Sequence, residues 1–105
     1  MFKQIPYLSY ILEESEHHPV FILKHSSTCP FSAAGNKQVE EYMRTSGQDV
    51  YRVIVQTERP LSNEIASTLR IKHESPQFIG LKERKPYFVL NHSDITKEDM
   101  EKNIK

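Results

Sequence analysis

The chain of 105 residues is long enough for one domain with one core, and its 14 basic residues balance its 14 acidic residues. This balance gives no charge excess to attract polyanions, so we expect neither nucleic-acid binding nor membrane attachment. The one cysteine cannot form an internal disulfide, and with no signal peptide or apolar span we expect a cytoplasmic protein with a reduced thiol.

The first half of the chain predicts helices that alternate with buried strands, within a single domain over residues 1–105. A short amphipathic helix is expected over residues 6–16. The apolar run Val20–Leu23 suits a strand that is buried on both faces. The next helix is predicted to begin at Pro30, because proline fits the first turn of a helix, and to stop at Gly47.

The second half predicts two more α/β elements and then a hairpin. A buried strand is expected over residues 50–55, and apolar residues four apart predict a helix over residues 60–70. Two apolar runs at residues 77–81 and 87–90 are separated by a tight polar turn and therefore pair antiparallel. A last helix opens at Thr96 with a capping-box pattern. The expected fold is an N-terminal helix followed by β-α-β-α-β-β-α, with a four-stranded mixed sheet.

The strongest functional signal is the only cysteine, Cys29, which follows a strand and a short polar turn and directly precedes Pro30. The unpaired amides at a helix start favour negative charge, so a thiol placed there ionises more readily. The motif continues as Phe31-Ser32, with a serine where a dithiol enzyme carries its second, resolving cysteine. Because a hydroxyl cannot close a disulfide, an adduct on Cys29 must be resolved by an external thiol.

Two residues beside the cysteine each have two open roles. The Ser32 hydroxyl either donates a hydrogen bond to the Cys29 sulfur or faces water from the first turn of the helix. Thr28 either lines a thiol pocket or is an ordinary polar turn residue.

The order of elements, with a cysteine at the first strand–helix junction and a proline before the third strand, resembles the thioredoxin and glutaredoxin fold. Four sequence blocks resemble, more narrowly, the monothiol bacilliredoxin family (YtxJ-like proteins of the bacillithiol system). These blocks cover residues 21–34, 59–66, 71–77 and 92–96. In the last block the family often carries an aromatic residue where this chain has Ser93.

The resemblance implies a function for Cys29. It implies a monothiol oxidoreductase that removes bacillithiol from mixed disulfides on other proteins, in bacteria that use bacillithiol in place of glutathione. The partners would be bacillithiolated proteins and bacillithiol or another external reductant. Bacillithiol would act as a co-substrate, with no further cofactor and no metal.

The resemblance also implies the substrate-binding residues. The Ser75–Pro76 peptide bond would be cis and face Cys29, leaving the Ser75 backbone free to pair with an extended thiol substrate. An ordinary trans proline at a strand start is the alternative. The corner at Ser93, Asp94 and Ile95 would offer backbone amides to a carboxylate of bacillithiol. By analogy with the fold, Arg59, Lys72 and His73 are candidate cations for that carboxylate, although for any single one a solvated surface charge is the favoured interpretation.

Two other functions stay open at this point. The pattern Cys-x-Phe-Ser also resembles monothiol glutaredoxins that hold an iron–sulfur cluster between two subunits, although Pro30 here replaces the glycine of that motif. A non-catalytic thioredoxin-fold adaptor with an incidental cysteine is the other alternative, and an unshifted Cys29 pKa would support it.

Overall fold

The computed structural model describes residues 1–104, which form a five-stranded sheet covered by two helices on each face. The strands are β1 (Phe2–Lys3), β2 (Val20–His25), β3 (Val50–Ile54), β4 (Gln77–Lys82) and β5 (Lys85–Asn91). The helices are α1 (Leu8–Glu14), α2 (Pro30–Ser46), α3 (Arg59–Leu69) and α4 (Lys97–Ile104), with a 3₁₀ turn at His92–Asp94.

The sheet has the order β1-β3-β2-β4-β5, which places β2 at its centre. Strands β1, β3 and β2 run parallel, whereas β4 and β5 run antiparallel to their neighbours. The predicted hairpin is confirmed, and Glu83 and Arg84 form its turn with positive φ angles of 50° and 68°. The mixed α/β fold predicted from the sequence is therefore correct.

The predicted number of strands is wrong by one, because the chain begins with β1 rather than with a helix. Phe2 lies opposite Val50 and Lys3 opposite Tyr51, so two residues extend the sheet beyond β3. A two-residue strand is too short to produce a detectable alternation of apolar and polar residues, and its pairing partner lies far along the chain. The other predicted elements agree to within about two residues, the uncertainty of any boundary assignment.

Alternation along β2 decides which residues reach each face of the sheet. Phe21 and Leu23 pack into the core under α2 and α4, whereas Val20 and Ile22 pack into the core under α1 and α3. The next residue, Lys24, continues this alternation and therefore points toward the α1 and α3 side. A charged side chain is thus carried into the interior by the register of the central strand.

The ends of the helices follow the predicted capping signals. Pro30 occupies the first turn of α2, and Gly47 ends that helix in the left-handed conformation at φ 75°, donating its N–H to the Met43 carbonyl at 2.8 Å. The Asp99 N–H donates to Thr96 Oγ1 at 3.1 Å, as expected for a cap at the start of α4. Within residues 1–104, none of the helices combines the length and the apolar character that crossing a membrane requires.

Candidate active site

Cys29 is the N-cap residue of α2 and is a free, partly exposed thiol. Its extended backbone (φ −97°, ψ 125°) ends the loop that leaves β2, and its carbonyl accepts the N–H groups of Ser32 and Ala33 at 3.1 and 3.2 Å. The strand–turn–helix junction predicted from the sequence is therefore present. The sulfur lies where the orphan amides of the first helical turn can reach it.

Hydrogen bonds from the first turn of α2 hold the pKa of the Cys29 thiol below its ordinary value. The largest contribution is the backbone N–H of Ser32, which outweighs the opposing effect of partial burial. The backbone N–H of Phe31 and the hydroxyl of Ser32 act in the same direction. Each of these donors stabilises the thiolate rather than the thiol, which is the form that attacks disulfides.

Ser32 is fully buried, so the interpretation of this residue as a water-facing helix position is wrong. Its Oγ accepts the backbone N–H of Ser26 at 3.1 Å, which ties the turn before Cys29 to the helix after it. Its own hydroxyl proton stays available to the Cys29 sulfur, the smallest of the contributions that lower the thiol pKa. The side chain of Ser32 therefore shapes the turn more than it lowers the thiol pKa, whereas the backbone N–H of Ser32 makes the largest contribution to that pKa.

Gln56, which the sequence analysis did not single out, fixes the loop before the cysteine. It lies just beyond β3, and its Nε2 donates to Ser26 Oγ at 2.7 Å and to Thr28 Oγ1 at 3.3 Å. Its Oε1 accepts the Ser27 N–H at 3.1 Å. Thr28 is exposed and belongs to this network. Only a weak sequence signal could have predicted the role of Gln56. Gln56 follows β3 and the Cys29 turn follows β2, and the carboxyl ends of neighbouring parallel strands meet at one edge of the sheet.

The loop that ends at Pro76 packs directly against the helix that begins beside Cys29. The Ser75–Pro76 peptide bond is cis, as the resemblance implies. Pro76 is buried, and a Cβ built on Gly35 of α2 would lie 3.4 Å from its Cβ and Cγ. The same Cβ would lie 3.7 Å from Ile95 Cδ1. Three segments therefore meet at Gly35, which places Ser75 and Pro76 beside α2.

The corner at Asp94 is also placed beside α2, but its amides are only partly free. The 3₁₀ turn that contains Asp94 packs on α2, and the Asp94 side chain is exposed. The Ile95 N–H donates to the His92 carbonyl at 3.2 Å, so this amide is already occupied. The Lys97 N–H donates to Gln38 Oε1 at 2.9 Å. The predicted binding role of Asp94 stays a prediction.

A buried lysine lies on the other face of β2. Lys24 is 0% exposed, and its Nζ donates to the Ser62 carbonyl at 2.9 Å and lies 3.2 Å from Nδ1 of His73. Burial lowers the pKa of Lys24 to about 8. His73, one of the three candidate cations, thus contacts Lys24, whereas Lys72 is exposed and its Nζ lies 3.7 Å from Glu74 Oε2. The sequence signal for this buried lysine was its place directly after the apolar run Val20–Leu23, on the same strand.

The sequence profile of the family described as "Monothiol bacilliredoxin BrxC" matches residues 2–100. The chain belongs to this family. Between residues 1 and 104, no group of three or more His, Cys, Asp or Glu side chains is arranged to hold a metal ion.

Solved structures agree with the family and define the fold. One, described provisionally as an oxidoreductase with a thioredoxin fold, is 31% identical, covers 99% of this chain and 94% of its own, and has a TM-score of 0.89. Oxidised thioredoxin O2 from Arabidopsis thaliana is 18% identical, with 99% and 95% coverage and a TM-score of 0.73. A Malassezia sympodialis thioredoxin is 14% identical, with 99% and 88% coverage and a TM-score of 0.76.

The two thioredoxins are similar in fold alone, whereas the family carries the chemistry. Family membership and the thioredoxin fold together identify a thiol oxidoreductase of the bacilliredoxin type. The individual roles of Cys29, Pro30 and Ser32 in catalysis, and of Thr28, Ser75, Pro76 and Asp94 in substrate binding, are predictions that this geometry accommodates.

Proposed function

We propose that the protein removes bacillithiol from mixed disulfides on cytoplasmic proteins, with Cys29 as the nucleophile and an external thiol as the resolving group. The observation that carries this proposal is the state of Cys29: it is partly exposed, sits at the N-cap of α2, and its thiol pKa is lowered by the amides of the first turn. A lowered pKa at an accessible position is what a nucleophilic thiol requires.

The first step of the cycle transfers bacillithiol to the protein. The Cys29 thiolate attacks the bacillithiol sulfur of the mixed disulfide, the old S–S bond breaks, and the target protein leaves as a thiolate. A new disulfide now joins Cys29 and bacillithiol, so no net oxidation has occurred. The exposed position of Pro30 and Phe31 beside the sulfur leaves room for a protein-sized substrate to approach.

The second step must come from outside the chain. Position 32 holds a serine whose hydroxyl is buried and engaged with the Ser26 N–H, and no second cysteine exists. An external thiolate, from bacillithiol or another reductant, therefore attacks the Cys29 adduct and releases a small disulfide. Cys29 leaves as the thiolate that the first-turn amides stabilise.

The lowered pKa serves this second step more than the first. For each unit by which the pKa falls, the nucleophilicity of a thiolate decreases by about threefold, which offsets much of the gain in thiolate fraction. A thiolate of lower pKa leaves faster without such a penalty. A replacement of Pro30 that shifts the Cys29 pKa should therefore change resolution more than attack in stopped-flow measurements of the two half-reactions.

The test uses a purified protein that carries a bacillithiol mixed disulfide. The wild-type protein should release bacillithiol from it and gain a bacillithiol-sized mass, which disappears when free bacillithiol is added. Cys29→Ser should be inactive, whereas Ser27→Ala, a change at an exposed neighbour, should retain activity. Release by Cys29→Ser at the wild-type rate, or no adduct on the wild-type protein, would refute the proposal.

A further inference from the structure

Lys24 is a buried charge that the proposed cycle does not use. It is fully buried on the central strand, and within residues 1–104 no carboxylate forms an ion pair with it. An ammonium group without a counter-ion is costly to bury, and burial accordingly lowers the pKa of Lys24. A hydrophobic residue at this place in an otherwise apolar strand would avoid that cost. The contacts of Nζ indicate what the lysine does instead.

The side chain of Lys24 joins three elements. Its Nζ donates to the carbonyl of Ser62, in the first turn of α3, at 2.9 Å. It also lies 3.2 Å from Nδ1 of His73, in the loop that connects α3 to β4. Lys24 itself belongs to β2, the strand that leads into the Cys29 turn. One buried cation thus connects the strand, the helix and the connecting loop.

The same loop is held at its other positions by residues of β4 and the 3₁₀ turn. Gln77 Nε2 donates to the Lys72 carbonyl at 3.0 Å. His92 Nε2 pairs with Glu74 Oε1 at 2.8 Å, and the His92 N–H donates to the Pro76 carbonyl at 2.9 Å. Residue 72 is therefore held by β4, and residues 74 and 76 are held by the 3₁₀ turn. Lys24 supplies the contact at residue 73 from β2, the central strand.

We propose that Lys24 is a positioning residue for the thiol substrate: by donating to Nδ1 of His73, it holds residues 72–76 where the Ser75 backbone can pair with the substrate on Cys29. The inference rests on the proposed function, because it assigns this loop to the substrate. The packing of Pro76 against Gly35 supplies the geometric link, since it connects the end of the loop to the helix that begins beside Cys29.

The contact depends on the protonation state of His73. Nδ1 accepts a hydrogen bond only when it carries a lone pair, so the ring must be neutral. The groups that act on it are Lys24 from β2, Arg59 from α3 and Glu74 from its own loop. Burial and then Lys24 lower the pKa of His73 below 6.5, Arg59 adds to this, and Glu74 opposes it. At neutral pH the acceptor is present, and in acid a second cation would face Lys24.

The experiment compares Lys24→Met with two replacements of His73. His73→Leu removes the acceptor, whereas His73→Asn places an amide oxygen where Nδ1 was and cannot be protonated. Three quantities are measured: KM and kcat on a bacillithiolated protein, hydrogen exchange of the amides of residues 72–75, and alkylation of Cys29 by iodoacetamide. Alkylation reports the thiolate alone, because this small reagent needs no substrate loop. Lys37→Met, on the exposed face of α2, is the matched lysine control.

Lys24→Met and His73→Leu should each raise KM about tenfold and increase the hydrogen-exchange rate of the loop amides about tenfold, which is the equivalent of one hydrogen bond. The value of kcat and the alkylation rate of Cys29 should change less than about twofold. His73→Asn should keep KM and loop exchange near the wild-type values. In the wild type, loop exchange should become faster in acid as His73 is protonated, and His73→Asn should lack this acceleration. Unchanged KM and exchange in His73→Leu, or equal damage by His73→Asn, would overturn the inference. If Lys24→Met fails to fold, the two His73 variants decide.

Failure of the proposed function is read separately from failure of this inference. If the wild-type protein does not act on the bacillithiolated substrate, the proposed function fails, while loop exchange in His73→Leu against His73→Asn still tests whether the Lys24 contact holds the loop. Equal exchange in these two variants overturns the positioning role whatever the substrate is.

Discussion

The two ends of one short segment, Lys24 and Cys29, carry ionisable groups whose pKa values are both lowered, but for opposite reasons. Hydrogen bonds from the Ser32 and Phe31 amides lower the pKa of Cys29 by stabilising its charged form. Burial lowers the pKa of Lys24 to about 8 by destabilising its charged form. Only four residues lie between the buried amine of Lys24, on the α3 side of the sheet, and the partly exposed thiol of Cys29, at the start of α2.

The direction of a pKa shift therefore does not by itself reveal the role of the ionisable group. At Cys29 the shift increases the reactive species at the surface, where a substrate can meet it. At Lys24 the shift reflects the free-energy cost of burying the amine, which bonds the Ser62 carbonyl in the interior and contacts the more exposed His73. The region around Cys29 supplies the reacting group, whereas the region around Lys24 positions a helix and a loop.

The largest expected effect is a pH-dependent difference in stability between the wild type and Lys24→Met. In the folded protein Lys24 loses its proton near pH 8, whereas the unfolded chain retains it up to about pH 10.5. The unfolded state therefore binds more protons in this window, and wild-type stability rises with pH across it by at most about 3 kcal/mol. Lys24→Met lacks this gain.

Denaturant unfolding at pH 7 and pH 10 checks this prediction. The free energy of unfolding of the wild type relative to Lys24→Met should increase as the pH rises. Replacement of the exposed Lys37 by methionine should leave the corresponding difference independent of pH. Parallel pH curves for the wild type and Lys24→Met would show that the Lys24 amine is solvated in the folded protein.

The next effect is expected at Ser32, where geometry and thiol chemistry meet. Ser32→Ala removes the acceptor of the Ser26 N–H, in a residue that is itself buried, and should cost about 1–3 kcal/mol of folding free energy. It should raise the Cys29 pKa only slightly, because the dominant Ser32 donor is a backbone N–H that alanine retains. A large pKa rise with unchanged stability would reverse these two assignments.

The smallest effects should separate the two glutamines that support the two regions. Gln77 is fully buried and bonds the Lys72 carbonyl and Asn91 Oδ1, whereas Gln56 is exposed and bonds the turn before Cys29. Gln77→Leu should cost about 1–2 kcal/mol, because a buried side chain loses two hydrogen bonds, and Gln56→Leu less than about 1 kcal/mol. Gln56→Leu should nevertheless change the alkylation rate of Cys29 more than Gln77→Leu does. Thermal unfolding and alkylation kinetics measure the two quantities.

The sequence predicted the Cys29 side of this comparison far better than the Lys24 side. A strand, a polar turn and a Cys-Pro helix start are contiguous signals, and each has a local physical cause. Gln56, His73 and Ser62 meet their partners only through strand order and loop packing, which one sequence does not specify. Strand β1 was missed for the same reason, since its two residues gain their structure from β3 alone.

The interpretation of Ser32 shows where local reasoning fails. Its position in the first helical turn allowed either a water-facing or an inward hydroxyl, and the sequence favoured neither. The choice is set by Ser26, six residues earlier, whose N–H needs an acceptor inside the fold. A tertiary requirement of the backbone thus fixed a side chain that the helix pattern left undetermined.

The central claim is that Cys29 is held as an accessible thiolate by the start of α2. The direct measurement is the ultraviolet absorbance of the thiolate as a function of pH, with Cys29→Ser as the blank, since this chain has no other cysteine. The account predicts a single titration with a midpoint below that of an ordinary cysteine thiol, together with an alkylation rate that follows the same curve. A midpoint at or above the ordinary value would contradict it.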